Sequence, residues 1–207
     1  MKRRDDAGEF ATDEELLARY VAGDDAGFTS LVERYGPELY PFLVRYVRDA
    51  AAAEDLIQET FLQVHHSAPS FDPSRRFRPW LFTIAVNKAR DHLRSRGRRR
   101  EVSLSMAAPS NADESVSYLD FVFHDHSAPS DTLEADEQRV VVQTIVSTMP
   151  DHLREVLVLG YYHRFPYRQI AEVLDVPVGT VKSRLHAAVA HFATCYRQAL
   201  DEEGNPE

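Results

Sequence analysis

Cysteine is nearly absent: Cys195 stands alone among 207 residues. One thiol excludes an internal disulfide and any Cys-rich zinc site, and it suits a reducing compartment. No apolar run approaches the roughly 20 residues that a membrane helix needs, so direct membrane insertion is not expected. Behind the basic start MKRRDDAGEF no apolar h-region follows, so no secretory signal is read and a cytoplasmic protein is expected. A Gly-rich phosphate loop and a nucleophile–base pattern are both missing. The expectation is therefore no enzyme: no catalytic residue, no cofactor and no small-molecule substrate. Strand-type alternation is lacking too.

Charge is present in abundance but unevenly placed. The formal net charge is -9. Nine acids and no Lys or Arg fall between Glu101 and Gln138, and outside that segment acids and bases are equal in number. Arg75 to Arg100, just before it, holds ten Lys or Arg against Asp91 alone. An acidic average thus conceals a basic stretch next to an acidic one.

Apolar residues recur at helical spacing through most of the chain. Thr12 and Glu15 form a capping box for a helix over Asp13 to Val21, which Gly23 closes. Phe28, Leu31, Val32, Tyr35, Leu39, Phe42, Leu43 and Tyr46 follow the same period, and Gly36-Pro37 should break or kink that segment. A third helix, about Ala50 to His66, buries Ala53, Leu56, Ile57, Thr60, Phe61 and Val64. SAPSFDPS reads as a loop. A long helix then runs from Arg78-Pro79 to about Arg96, with Pro79 at its first position. Its packed side is Trp80, Leu81, Ile84, Ala85, Ala89 and Leu93. Glu101 to Asp131 reads as a linker, although its middle, SYLDFVFHDH, is apolar enough to dock on something. Periodicity returns from Thr132, with one helix to Thr148 and another after Pro150. The expected fold is all-α: two small helical domains, 12–100 and 132–200, joined by an acidic flexible linker, 101–131.

In YRQIAEVLDVPVGTVKSRL (Tyr167 to Leu185), Ile170, Ala171 and Leu174 line one face of a short helix. Val176 fills a turn, and Pro177 starts the next helix. Val181, Leu185, Val189 and Phe192 turn inward, leaving Thr180, Lys182, Ser183, Arg184 and His186 on or near the outer side. This is helix-turn-helix spacing, with the second helix offered to a major groove by its first turn. On the long basic helix Thr83, Asn87, Asp91, Arg94 and Arg98 share another face. Amide, carboxylate and guanidinium groups along one ridge can bond base edges while neighbouring cations hold phosphates. A solvated charged face would carry the same residues.

Taken together these blocks resemble an RNA polymerase sigma factor of the extracytoplasmic-function class. AAAEDLIQETFLQVH is similar to the helix that docks on the polymerase clamp. FDPSRRFRPWLFTIAVNKARDHLRSRGRR is similar to the segment that melts and reads the minus-ten element. LREVLVLGYYHRFPYRQIAEVLDVPVGTVKSRL is similar to the domain that reads the minus-thirty-five element. The resemblance implies that core RNA polymerase and promoter DNA are the partners, and it allows an anti-sigma protein. It places Asp55, Gln58 and Glu59 against the clamp, with Leu62 on the same face. It places Asn87, Lys88 and Asp91 near the unpaired strand. The loop Ser70 to Phe77 becomes a pocket for an extracted base, with Arg75, Arg76 and Phe77 as the residues to test. One departure stands out: HAAVAHF follows Ser-Arg-Leu, so Ala187 and Val189 stand where cations are common in the family. Fewer phosphate contacts imply a shallow salt dependence. The acidic linker would thread the positively lined cleft of the polymerase.

Two rivals remain. A stand-alone helix-turn-helix regulator would bind duplex tightly by itself. An enzyme would need a metal or a nucleophile, and His65-His66 and His124-Asp125-His126 have no third ligand at a diagnostic spacing, so no metal site is expected.

Overall fold

The computed structural model describes residues 11–104 and 133–203. Among them every regular element is helical. The first domain comprises α1 (Asp13–Val21), α2 (Asp25–Val47), α3 (Ala50–Ser67) and α4 (Phe77–Leu104), with a single 3₁₀ turn, Ala68–Ser70, after α3. The second comprises α5 (Leu133–Thr148), α6 (Asp151–Leu157), α7 (Tyr167–Leu174) and α8 (Val178–Glu203), with a π-type turn over Val158–Tyr162. The apolar middle of the acidic segment and the His124–His126 group lie outside the described residues.

α1 begins as its residues dictate. The Thr12 hydroxyl accepts from the Glu15 N–H at 3.2 Å, and the Glu15 carboxylate accepts from the Thr12 N–H at 2.9 Å. That reciprocal box satisfies two of the helix's orphan donors. Gly27 lets α2 lie against α1: a Cβ there would stand 2.3 Å from the Leu16 carbonyl oxygen.

α2 is unbroken at Gly36-Pro37, where a break or a kink was expected. It runs from Asp25 to Val47 with Pro37 and Pro41 both inside. An interior proline costs about 3 kcal/mol. Leu31 and Tyr35 before the prolines, and Leu39, Phe42 and Leu43 after the first, are all at most 4% exposed. Each such side chain contributes roughly 1.5–3 kcal/mol of burial, so the shared apolar face outweighs the local penalty.

α4 starts two residues before Pro79 and continues eight residues past Arg96, into what reads as linker. The Glu14 carboxylate accepts from the Phe77 N–H at 2.8 Å, which caps the new start from a different helix. α4 also buries more than one stripe. Leu81, Ala85 and Ala89 are buried as expected, but so are Phe82 and Val86. The reason lies in the second domain, which packs on that extra stripe. The Phe82 ring lies 4.9 Å from that of Phe165 and 5.2 Å from that of His163, centroid to centroid. The core therefore runs continuously from one domain into the other.

In the second domain Asp175 ends α7 in the left-handed region, at φ 54°. The Val176 N–H then donates to the Ala171 carbonyl at 3.0 Å. This is a helix C-terminus closed by a left-handed residue. Pro177 opens α8, its carbonyl accepting from Thr180 and Val181 at 2.9 and 3.1 Å. Along α8 the inward positions are Val181 and Ala188, both 0% exposed, whereas Val189 is 56% exposed. Val189 was expected inside. Seven residues from Val181 nearly complete two helical turns and eight overshoot by about 80°, so Ala188 takes the core position.

Candidate nucleic-acid interface

Two helices of the first domain offer polar ridges side by side. On α3, Asp55, Gln58, Glu59 and Leu62 are all exposed. They share the face opposite Ala53, Leu56, Thr60 and Val64, which are buried. On α4, Asn87, Asp91 and Arg94 are exposed and lie about one turn apart. Lys88 joins the two ridges, its ammonium 3.5 Å from the Glu59 carboxylate. Asp91 holds Arg94 at 3.4 Å along the helix. Between the helices lies a cleft of about 540 Å³, lined by residues that include Leu56, Glu59, Lys88, Asp91 and His92. Arg98 lies on α4 beyond the residues whose side chains the structure describes.

The loop before α4 is only partly as expected. Arg75 and Arg76 are exposed. The Asp72 carboxylate accepts from the Ser74 N–H at 2.9 Å, and this backbone bond holds its pKa below the ordinary carboxylate range. Phe77, however, is 0% exposed, its ring 5.4 Å from that of Tyr35 and 5.8 Å from that of Trp80. It belongs to the core at the root of α4 and offers no face to a base in this conformation. Trp80 is half-buried, its ring 4.8 Å from that of Phe71 and packed against the core.

On the second domain, Lys182, Ser183 and His186 are exposed on the first turns of α8, while Thr180 and Arg184 are half-buried. The Ser183 hydroxyl is turned back on the Thr180 carbonyl at 3.1 Å, and His186 contacts the Lys182 carbonyl at 2.9 Å. Ala187 is exposed beside Val189, so the surface continuing the helix is apolar and uncharged.

What the sequence reading missed is a set of charged groups where the domains meet. Glu155, only 7% exposed, accepts from Arg90 at 2.8 and 3.2 Å and from the Tyr46 hydroxyl. The hydrogen bond to Glu155 keeps the Arg90 guanidinium firmly protonated. Burial and then the Glu155 charge push the Tyr46 hydroxyl far above its ordinary value. Arg154, 1% exposed, spans three backbone carbonyls: Ser147 at 3.2 Å, Met149 at 3.0 Å and Tyr46 at 3.3 Å. Nearby, Glu38 takes Arg78 and the Nδ1 of His163, the latter at 3.2 Å. Burial alone would raise the Glu38 carboxyl, but the His163 hydrogen bond and Arg78 hold it below its ordinary value. A carboxylate only accepts, so His163 Nδ1 is assigned as the donor. Two adjacent charged residues inside the apolar run LREVLVL were the available signal.

Among the described residues no group of three or more His, Cys, Asp or Glu is placed to hold a metal ion, and no helix is long and apolar enough to cross a membrane. Residues 31–99 match the family Sigma-70 region 2, and residues 139–192 match Sigma-70, region 4. The chain is 32% identical over 199 residues to the RNA polymerase sigma-H factor of Pseudomonas aeruginosa, covering 94% of each. It is also 32% identical over 198 residues to the ECF RNA polymerase sigma-E factor of Escherichia coli K12, covering 96% of this chain and 97% of that one. Two solved structures share its fold. One is CnrH bound to the cytosolic domain of CnrY, with TM-score 0.65 and 24% identity over 91% of this chain and 99% of that one. The other is the sigma factor RpoE bound to the anti-sigma factor NepR from Bartonella quintana, with TM-score 0.64 and 24% identity over 82% and 96%. Two helical domains in this order, with both halves matched and relatives aligned nearly end to end, make the chain a member of the extracytoplasmic-function sigma factors of bacterial RNA polymerase.

Proposed function

We propose that residues 12–100 form the clamp-binding and minus-ten domain, 101–131 the connecting segment, and 132–200 the minus-thirty-five domain of this sigma factor. It binds core RNA polymerase and directs initiation at selected promoters, and phosphodiester chemistry belongs to the polymerase. Asp55, Gln58, Glu59 and Leu62 meet the clamp. Asn87, Lys88, Asp91, Arg94 and Arg98 meet the unpaired strand, together with Arg75 and Arg76. Thr180, Lys182, Ser183, Arg184 and His186 enter the groove of the upstream element. Phe77 supports this surface from beneath. The reading locates the protein in the cytoplasm, where its polymerase is, and admits an anti-sigma protein as an inhibiting partner.

The observation that carries it is the packing of α3 on α4 through one core, which sets their exposed ridges side by side with Lys88 3.5 Å from Glu59. A partner seated on the α3 ridge thus holds the α4 ridge at a set position, because the two helices share a core, as a subunit that docks and reads at once requires. The test is transcription of genomic DNA by reconstituted holoenzyme, with the transcript ends sequenced. Starts clustered behind a shared pair of upstream motifs are expected. Core enzyme that initiates at the same positions without the protein would refute it.

A further inference from the structure

α1 precedes the segment that matches Sigma-70 region 2, which begins at residue 31. Its first turn carries three consecutive acids, and each meets a different partner. Glu15 closes the capping box of α1 itself. Asp13 accepts from the Tyr35 hydroxyl and pairs with Arg34, both on α2. Half-buried Glu14 reaches α4, accepting from the Phe77 N–H at 2.8 Å.

α4 needs that acceptor because the residue at its N-cap offers none. Arg76 stands there, its carbonyl accepting from the Trp80 N–H at 3.5 Å. Ser, Thr, Asp and Asn cap a helix with a side-chain oxygen, whereas a guanidinium has only donors. Its charge also opposes the positive end of the helix dipole. Glu14 supplies both the missing acceptor and a negative charge beside that end. Upstream, the Asp72 carbonyl accepts from the Arg75 N–H at 3.0 Å and closes a turn. The Phe71 ring lies 4.8 Å from that of Trp80 and 6.3 Å from that of Phe77. Exposed Arg76 thus hangs between two anchors, Phe71 and Phe77, and Glu14 fixes the second.

We propose that Glu14 is a positioning residue for promoter opening: it caps α4 from α1 and so sets where Arg76 and the first turn of α4 stand against the unpaired strand. This rests on the proposed assignment of α4 and the loop before it to that strand. Without the cap the Phe77 N–H loses its partner, the first turn of α4 frays, and Arg76 moves off its place. A hydrogen bond to a charged acceptor favours the capped form by about tenfold or more. The N-terminal helix thereby serves the reading surface although it lies outside the matched domain.

The chain's one tryptophan, Trp80, sits in the first turn of α4 and reports on it directly. Glu14→Ala keeps α1 helical, since alanine is the best helix former, and removes the cap. In the free full chain it should shift Trp80 emission to longer wavelength and raise its quenching by acrylamide. In reconstituted holoenzyme it should slow promoter opening about tenfold while core affinity stays within about twofold. Glu14→Gln keeps an uncharged acceptor of the same reach, so emission and opening should return to within about threefold of wild type. A Trp80 signal in Glu14→Ala equal to wild type overturns the cap. Equal loss of opening and core affinity overturns the positioning role. So does a shifted signal with normal opening, when Arg76→Ala slows opening. Arg76→Ala that opens normally refutes the assignment of the loop and the positioning role with it, and the Trp80 comparison, which involves no DNA, still decides the cap.

Discussion

The recognition helix carries few cations, and this has a measurable consequence. On the outer side of α8 only Lys182 and Arg184 carry fixed positive charge near the first turns, and exposed Ala187 and Val189 follow. Each phosphate contact contributes about -0.9 to the slope of log K against log salt. Removing both cations by Lys182→Ala with Arg184→Ala should therefore make the slope of promoter binding by holoenzyme shallower by about 1.8. Between about 50 and 200 mM salt, that share of the wild-type slope amounts to about a 12-fold fall in affinity. The assay is equilibrium binding of holoenzyme to a promoter chosen by transcript sequencing, titrated with salt for both proteins. An unchanged slope would mean that neither residue touches phosphate. A change well above 2 would mean that α8 carries more of the duplex contact than its surface charge allows. Conversely, Ala187→Arg with Val189→Arg should steepen the slope by about the same amount, since both positions are exposed.

Two single substitutions separate docking from reading. Asn87→Ala removes an exposed amide from the α4 ridge and should slow promoter opening, measured by permanganate footprinting, while affinity for core changes by less than about twofold, since surface substitutions off a contact cost within about 0.5 kcal/mol. Asp55→Arg should do the reverse, weakening core binding about tenfold or more if its carboxylate meets a clamp cation, as truncating a desolvated charge pair costs about 2–5 kcal/mol. Equal loss of both properties in either variant would undo the assignment. For stability, Arg154→Met removes a buried donor from the Met149 and Tyr46 carbonyls, while the Ser147 carbonyl keeps Arg48 at 2.6 Å. Leaving buried carbonyls unsatisfied should cost about 1–3 kcal/mol in urea denaturation followed by circular dichroism. A loss under about 0.5 kcal/mol would mean that water replaces the guanidinium.

The helices themselves were readable because local rules and packing agree. The Thr12–Glu15 box, the α3 stripe and the α7–α8 turn each follow from side chains within a few residues of one another. That α2 runs unbroken was not legible because proline is a strong local signal, whereas the burial that overrides it comes from α1, α3 and α4. Phe77 failed for a related reason. Its place in a basic loop suggests exposure, and only the tertiary fold shows Glu14 capping its N–H and Tyr35 beneath its ring. Val189 was a matter of phase, since a one-residue error in helical register moves a side chain from core to solvent.

The contacts between domains were invisible for a deeper reason. Periodicity describes one buried stripe per helix, and α4 has a second one, Phe82 and Val86, that a single moment along the helix cannot separate from the first. The charged partners lie far apart in the chain: Tyr46, Arg90 and Glu155 meet only because α2, α4 and α6 converge. Their arrangement also resolves the tension between an acidic protein and a polyanionic target. Six of the nine excess acids lie in the connecting segment and three at the start of α5, while Glu155 and Glu172 pair with the protein's own cations. Net charge therefore says little here, because the positive surface available to DNA depends on which partner each guanidinium holds.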